Sequence, residues 1–130
     1  LETRDDVDAA TVAYFGLSWG GATAPVVLAV EPRIDAAVLN VGGLSSDDYQ
    51  PEVRPFNFVP RVQTPLLMIS GRHDPDFPYE TSQVPLYESL GTPAADKRHY
   101  LSEAAHLVPQ DEVIRETLDW FDRYLGPVGG

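Results

Sequence analysis

The sequence contains no cysteine, and its nine lysine and arginine residues are outnumbered by twenty acidic ones. Without cysteine there is no disulfide, no thiol nucleophile and no zinc site built on thiolates. A formal net charge of −11 leaves no basic face for nucleic acid or for an anionic membrane, so we expect neither as a partner. A length of 130 residues suffices for one domain with its own apolar core.

The sequence also lacks a membrane or export segment. Residues 9–30 carry no charge, but three glycines and Pro25 interrupt them, and no basic flank or cleavage site marks a signal peptide. We therefore expect a cytoplasmic protein. Because the chain begins at Leu1 and its only methionine is Met68, we also expect a fragment or a processed product.

Runs typical of strands alternate with runs of helical spacing. The strand-like runs are apolar, except for a more polar last one that suits a sheet edge: Thr11–Phe15, Ile34–Val41, Pro65–Ser70 and Lys97–Leu101. Helices are predicted over residues 22–30, over Thr81–Leu90 with Ser82 as its cap, and over a C-terminal segment ending at Leu125. This alternation predicts an α/β fold with about four mostly parallel strands flanked by helices.

The last helix carries the clearest apolar stripe. Ile114, Leu118, Phe121 and Leu125 recur at helical spacing, so we expect them to face the core. Residues 44–63, between the second and third strands, show no regular pattern. We expect them to form a loop that is anchored by its aromatic side chains.

Residues Gly16-Leu17-Ser18-Trp19-Gly20 match the pentapeptide G-x-S-x-G. The pentapeptide alone is common, and a glycine-rich turn with an idle serine is the plain alternative. Here it lies between a buried strand and an apolar helix, where a nucleophile elbow exposes its serine above the sheet. The tight turn crowds the positions two before and two after Ser18, which favours glycine at both. The helix dipole would favour negative charge developing beside Ser18.

A serine hydroxyl needs a general base near neutral pH, and the chain has three histidines. His106 lies between the last strand and the last helix, and functional groups of parallel sheets gather on loops beyond the carboxyl ends of strands. This position favours His106 as the base. His99 lies inside the predicted fourth strand, and His73 stands at the end of the third.

The base needs a carboxylate that orients it. Asp74, just past the third strand, is the best candidate, and Asp76 in the same loop is the alternative. Asp47 and Asp48 follow the second strand and fit a solvated turn better. The order serine, aspartate, histidine along the chain is that of one hydrolase architecture and differs from the chymotrypsin and subtilisin orders.

Further stretches make the sequence similar to the C-terminal half of an α/β-hydrolase, of the dienelactone-hydrolase and prolyl-oligopeptidase-like type. They are Pro55–Arg61, then Gly71–Asp74 with Pro78 and Glu80–Ser82, and finally Ile114–Trp120. The resemblance covers almost the whole chain and implies one partial domain over residues 1–130, from the elbow to the C-terminal helix. It implies a triad of Ser18, Asp74 and His106, with Ala105 where the family often has glycine.

The same resemblance implies what such a half would lack. The full architecture has eight strands with the elbow after the fifth, so the loop giving the second oxyanion donor has no counterpart. The backbone N–H of Trp19 is the donor that this chain offers, and loss of one donor costs on the order of a hundredfold to a thousandfold in turnover. We expect a serine esterase acting on small carboxylic esters without cofactor or metal, while peptide, lactone and thioester substrates remain open. The alternative is a weak or inactive half-domain that serves in assembly.

An elbow strand without its upstream neighbour would leave an apolar edge of unpaired N–H and C=O groups. Such an edge favours pairing with another chain. We expect two copies to join through the Thr11–Phe15 edges, antiparallel about a two-fold axis, as a homodimer with one continuous sheet.

Overall fold

The apolar runs form one parallel sheet in the computed structural model, which describes residues 3–7 and 9–127. Within these residues the strands lie side by side in chain order: β1 Ala13–Leu17, β2 Ala36–Asn40, β3 Leu66–Gly71 and β4 Lys97–Ser102. The α-helices of the same residues are α1 Trp19–Val30, α2 Val84–Ser89 and α3 Gln110–Leu125. The predicted α/β architecture is confirmed. The expected domain also includes residues 1, 2, 8 and 128–130, which lie outside the described residues.

The core consists of two apolar layers, one on each face of the sheet. Successive side chains of a strand point to opposite faces, so an all-apolar strand serves both layers. Leu39 of β2 packs with Leu28 of α1 and Leu86 of α2 on one face. Its neighbour Val38 packs against Trp120 of α3 on the other face. The layers cover the faces of the sheet and leave the carboxyl ends of the strands open for loops.

The uncharged segment of residues 9–30 contributes a strand, a turn and a helix to this fold. It contains β1 and α1. In the part of the chain that the structure describes, no helix is both long and apolar enough to cross a membrane.

Helix α3 packs on the sheet through a different side from the one expected. Trp120 is 3% exposed, whereas Ile114 is 49% and Leu118 52% exposed. Phe121 and Leu125 are half-buried against the layer around Trp120. The prediction that the whole stripe faces the core is therefore wrong for Ile114 and Leu118.

Polar contacts with the β4 side of the sheet explain this rotation of α3. The Glu116 carboxylate is 8% exposed and lies 2.5 Å from Arg98 of β4. The Tyr124 hydroxyl donates a hydrogen bond of 2.9 Å to Asp96, just before β4. A buried carboxylate needs such a partner, and this requirement outweighs the burial of two exposed aliphatic side chains.

Residues 44–63, every one of which is described, fold into three short 3₁₀ turns: Pro51–Val53, Pro55–Asn57 and Val59–Arg61. Val59 and Val62 are fully buried, whereas Phe56 is 53% exposed. The expected aromatic anchoring is therefore wrong for Phe56, because the space beneath this connection is filled by short aliphatic side chains.

The predicted helix Thr81–Leu90 begins in an unexpected way. A π-helical turn, Tyr79–Gln83, precedes α2. The backbone N–H groups of Ser82 and Gln83 both reach the carbonyl of Pro78, at 2.9 and 3.3 Å. Ser82 therefore lies inside the turn and does not cap the helix, and its hydroxyl donates instead to the carbonyl of Leu44 at 2.8 Å.

The packing of α3 predicts unequal costs for two truncations on this helix. Trp120→Ala should lower the free energy of unfolding by about 3–5 kcal/mol, because it opens a cavity against the sheet. Leu118→Ala should cost less than about 1 kcal/mol, because that side chain lies outside. Urea unfolding followed by circular dichroism measures both, and equal costs would contradict the observed rotation.

Candidate active site

Ser18 lies in the sharp turn between β1 and α1. Its backbone angles are φ 52° and ψ −108°, a strained combination for a residue other than glycine. The Ser18 N–H donates a 2.8 Å hydrogen bond to the carbonyl of Asn40 at the end of β2. The turn is thus tied to the neighbouring strand, and it has the geometry expected of a nucleophile elbow.

The two glycines of the pentapeptide differ in how much the turn requires them. A Cβ on Gly16 would lie 2.5 Å from the carbonyl oxygen of Gly20, which no side chain tolerates. A Cβ on Gly20 would meet nothing closer than the Tyr14 hydroxyl at 4.0 Å. The expected need for glycine therefore holds at Gly16 and is wrong at Gly20.

The structure brings the three predicted catalytic residues together from three separate loops. Ser18 Oγ lies 2.9 Å from Nε2 of His106, and Nδ1 of His106 lies 2.9 Å from Oδ2 of Asp74. The Asp74 side chain is fully buried, and that of His106 is 23% exposed. With the imidazole proton on Nδ1, the Ser18 hydroxyl donates to Nε2, and a continuous chain of hydrogen bonds joins the three residues.

Backbone groups hold the Asp74 carboxylate in place. Its Oδ1 accepts hydrogen bonds from the N–H groups of Asp76 and Phe77, at 2.8 and 3.1 Å. The same loop is tied to the segment between β4 and α3 that carries His106, here called the histidine loop. The His73 N–H donates to the carbonyl of Ala104 in that segment, at 3.0 Å. One carboxylate oxygen is therefore used for structure, and the other faces His106.

The alternative acids are placed differently. Asp76 Oδ2 is 3.5 Å from Nδ1 of His106, but its side chain is 65% exposed. Asp47 is exposed, and its backbone N–H bonds to the Ser45 hydroxyl. Asp48 is exposed as well, with Arg54 at 3.9 Å. Asp74 therefore has the most rigid position toward the imidazole.

The other two histidines lie outside this arrangement. His73 is 64% exposed and 3.5 Å from Glu103. His99 lies between the rings of Tyr79 and Tyr87, with centroids 6.1 and 5.6 Å away. Burial lowers the pKa of His99, since the charged imidazole loses its hydration there. His99 is thus a packed side chain of β4.

Among the described residues, Asp74, Asp76 and His106 are also the set that could hold a metal ion, with donor atoms within 4.8 Å of one another. A hydrogen bond between His106 and Asp74 already joins two of these three residues. An ion at this place would therefore compete with the orientation of the imidazole.

Trp19 is the first residue of α1. Its backbone N–H has no acceptor within the helix and lies at the positive end of the helix dipole. The side chain is 68% exposed. The expected role of this N–H as an oxyanion donor stays a prediction.

Two residues that shape the site gave little signal in the sequence. A Cβ on Gly71 would lie 1.8 Å from the carbonyl oxygen of Ala105, so glycine there lets the histidine loop close over the end of β3. Gln83 is fully buried beneath the Asp74 loop. The sequence marked Gly71 only as part of the Gly71–Asp74 stretch that carries the resemblance, and Gln83 itself was not distinguished from other polar helix residues.

No protein-family model matches the sequence, and no curated protein matches it significantly. Several solved structures are similar to the fold of this chain. A putative dienelactone hydrolase from Klebsiella pneumoniae superposes with a TM-score of 0.75 at 22% identity, over 93% of this chain and 55% of that one. A cold-adapted esterase from an Arctic intertidal metagenomic library, solved with zinc, gives 0.72 at 25% identity, over 87% and 48%. An esterase from Pyrococcus furiosus gives 0.74 at 18% identity, over 89% and 55%.

The fold is that of the α/β-hydrolases, and the similarity to their dienelactone-hydrolase and esterase members is confirmed at the level of the fold. The chain spans about half the length of each of these three structures. At such identities the likeness concerns architecture, and the site must be judged on its own geometry.

The elbow predicts opposite results for alanine at its two glycines. Gly16→Ala should destabilise the protein by about 1–3 kcal/mol, because the new Cβ forces the turn apart. Gly20→Ala, at a helical position with room, should leave the stability unchanged or raise it by up to about 1 kcal/mol. Thermal unfolding of the two variants checks this, and a destabilised Gly20→Ala would refute the distinction.

Proposed function

We propose that this chain carries the catalytic machinery of a serine hydrolase that cleaves carboxylic esters through Ser18, His106 and Asp74. The chain of two 2.9 Å hydrogen bonds from the serine hydroxyl to a buried carboxylate carries the proposal. An idle serine in a glycine-rich turn would need neither an imidazole at its hydroxyl nor a carboxylate behind that imidazole. The esterases among the similar folds support the choice of ester as substrate class.

In the first half of the reaction, Ser18 Oγ attacks the ester carbonyl carbon while Nε2 of His106 takes the hydroxyl proton. Asp74 keeps the other ring proton on Nδ1 and stabilises the charged imidazolium. The negative charge on the carbonyl oxygen is met by the Trp19 N–H at the start of α1. The tetrahedral intermediate then expels the alcohol, which receives its proton from Nε2.

In the second half, water replaces the alcohol. His106 removes a proton from water, the resulting hydroxide attacks the acyl-serine, and the carboxylic acid leaves as the proton returns to Ser18 Oγ. No other reactant is needed, because the same imidazole serves as base and then as acid in each half.

The proposal predicts that Ser18→Ala abolishes turnover of p-nitrophenyl acetate and labelling by a fluorophosphonate probe. Loss of the nucleophile should cost several orders of magnitude while leaving the melting temperature nearly unchanged. Ser46→Ala, an exposed serine of the loop after β2, is the matched control and should behave as wild type. Turnover at the wild-type rate by Ser18→Ala would remove the nucleophile from the proposal.

The contrast between the two aspartates gives a second prediction. Asp74→Asn should lower kcat by about four orders of magnitude, because an amide holds the wrong imidazole tautomer. Asp76→Asn, with its exposed side chain, should change kcat little. A greater loss in Asp76→Asn would transfer the orienting role to Asp76.

A second candidate function, assembly through the β1 edge, is favoured by the surface of that strand. Within the described chain β1 has a neighbour on one side only. Phe15 is 47% and Leu17 55% exposed on this strand. Edges of this kind pair with other chains unless something blocks them.

We propose that two copies join through this edge, antiparallel about a two-fold axis. The edge expected at Thr11–Phe15 corresponds to β1, Ala13–Leu17, in the structure. Each elbow would then lie at the interface beside the amino end of the partner's β1, where a loop of the second copy can supply an oxyanion donor.

Light scattering at micromolar concentration should then give twice the mass of about 14.3 kDa. Phe15→Lys should yield monomers, because a charge cannot be buried in the paired edge. Val53→Lys, at an equally exposed apolar residue in a 3₁₀ turn, should stay dimeric. A monomeric wild type would end the proposal of assembly without touching that of hydrolysis.

A further inference from the structure

We propose that Gln83 is a positioning residue that holds Asp74 toward His106 by closing the loop that carries the carboxylate. The inference rests on the function proposed above and adds to it a residue outside the triad. The loop in question runs from Gly71 at the end of β3 to Phe77.

The Gln83 side-chain amide joins both ends of this loop. Its Nε2 donates one hydrogen bond of 2.8 Å to the carbonyl of Gly71 and one of 2.7 Å to the carbonyl of Phe77. The residue is fully buried, so water does not compete for these bonds. One NH₂ group thus fixes the distance between the first and the last residue of the Asp74 loop.

The backbone of Gln83 is itself held by the π-helical turn. Its N–H reaches back five residues to the carbonyl of Pro78, at 3.3 Å. The hydroxyl of Ser82, the preceding residue, donates to the carbonyl of Leu44. The backbone carbonyl of Ser82 accepts a hydrogen bond from the Leu44 N–H at 3.3 Å. Single π turns of this kind are frequent at functional sites. Here the turn aims the amide at the loop and ties it to the segment after β2.

Phe77 transmits the constraint to the carboxylate. Its N–H donates to Asp74 Oδ1 at 3.1 Å, and its carbonyl accepts from Gln83 at 2.7 Å. The other end acts in parallel, because the Gly71 carbonyl accepts both the Asp74 N–H at 3.3 Å and the Gln83 amide. When the amide is removed, the carbonyls of Gly71 and Phe77 each lose a partner, and these are two residues whose backbones also bond to Asp74. The loop is then held less firmly, and with it the position of Asp74 Oδ2 at His106.

Gln83→Met tests this function, because it preserves length and approximate volume while removing the two donated bonds. The Gln83 Oε1 atom accepts no hydrogen bond from the described residues, so the substitution removes no bond on that side. Gln83→Asn is a milder second variant, since the shorter amide cannot reach both carbonyls. Gln83→Asn serves as the test of the positioning role if Gln83→Met does not fold.

Thr92→Val is the matched control. Thr92 is 3% exposed, and its hydroxyl lies 2.9 Å from the carbonyl of Thr64 and 3.3 Å from that of Val62. It therefore also joins two backbone carbonyls from a buried position, but in the connection before β3. A general loss of stability should appear in both variants, whereas a loss of positioning should appear only at Gln83.

The first readout is the proton on Nδ1 of His106, observed by nuclear magnetic resonance in the 130-residue chain without substrate. In a hydrogen bond to a buried carboxylate this proton gives a resolved low-field signal. We expect the signal in the wild type and in Thr92→Val, a broadened or absent signal in Gln83→Met, and none in Asp74→Asn.

The second readout is kinetic: kcat for p-nitrophenyl acetate should fall roughly ten- to a hundredfold in Gln83→Met, with KM within about twofold.

The two readouts separate this inference from the proposed function. A wild type with the signal but without turnover, and a Gln83→Met without the signal, would support the positioning role while refuting hydrolysis by this chain. A Gln83→Met that keeps the signal, or that loses no more than Thr92→Val in kcat, would overturn the positioning role. A wild type that lacks the signal would overturn it as well.

Discussion

The burial of the Asp74 carboxylate is the constraint on which the rest of the site depends. A charged group removed from water must be matched by donors, and here these are two backbone N–H groups and the imidazole of His106. The backbone donors require a tight loop after β3, and the imidazole requires the histidine loop to come within reach. Gly71 makes that approach possible, because any side chain there would collide with Ala105. The buried Asp74 carboxylate thus fixes the position of the His106 imidazole, and the imidazole in turn meets the Ser18 hydroxyl.

The parts of the site that follow from strand ends could be predicted from the sequence. Ser18, Asp74 and His106 each come directly after a strand-like run, and parallel strands bring their carboxyl ends to one edge. Residue types and chain order then favoured these three side chains, with Asp76 as the alternative acid. The four-strand fold was predictable for the same reason, since β2 and β3 are apolar enough to be recognised as buried on both faces.

Features that depend on a distant partner and lie outside any recognisable motif could not be predicted. The rotation of α3 is decided by Glu116 and Arg98, and helical spacing alone does not reveal a buried ion pair. Ser82 has the composition of a helix cap but bonds to a carbonyl 38 residues earlier. The role of Gln83 is even harder to recognise in the sequence, because its hydrogen-bond partners are backbone carbonyls, which every residue possesses.

The Ser18 hydroxyl and the His106 imidazole are 88 residues apart in the chain, and the histidine follows β4, which pairs with β3 alone among the described strands. An outer strand opens at a lower free energy than the interior of a sheet. When β4 separates, the imidazole leaves the serine while β1, β2 and β3 keep their pairing. Because β1 is the other edge strand of the described sheet and Ser18 follows it, opening of either edge separates the hydroxyl from the imidazole. The contact between Ser18 and His106 therefore depends on both edges of the sheet at once.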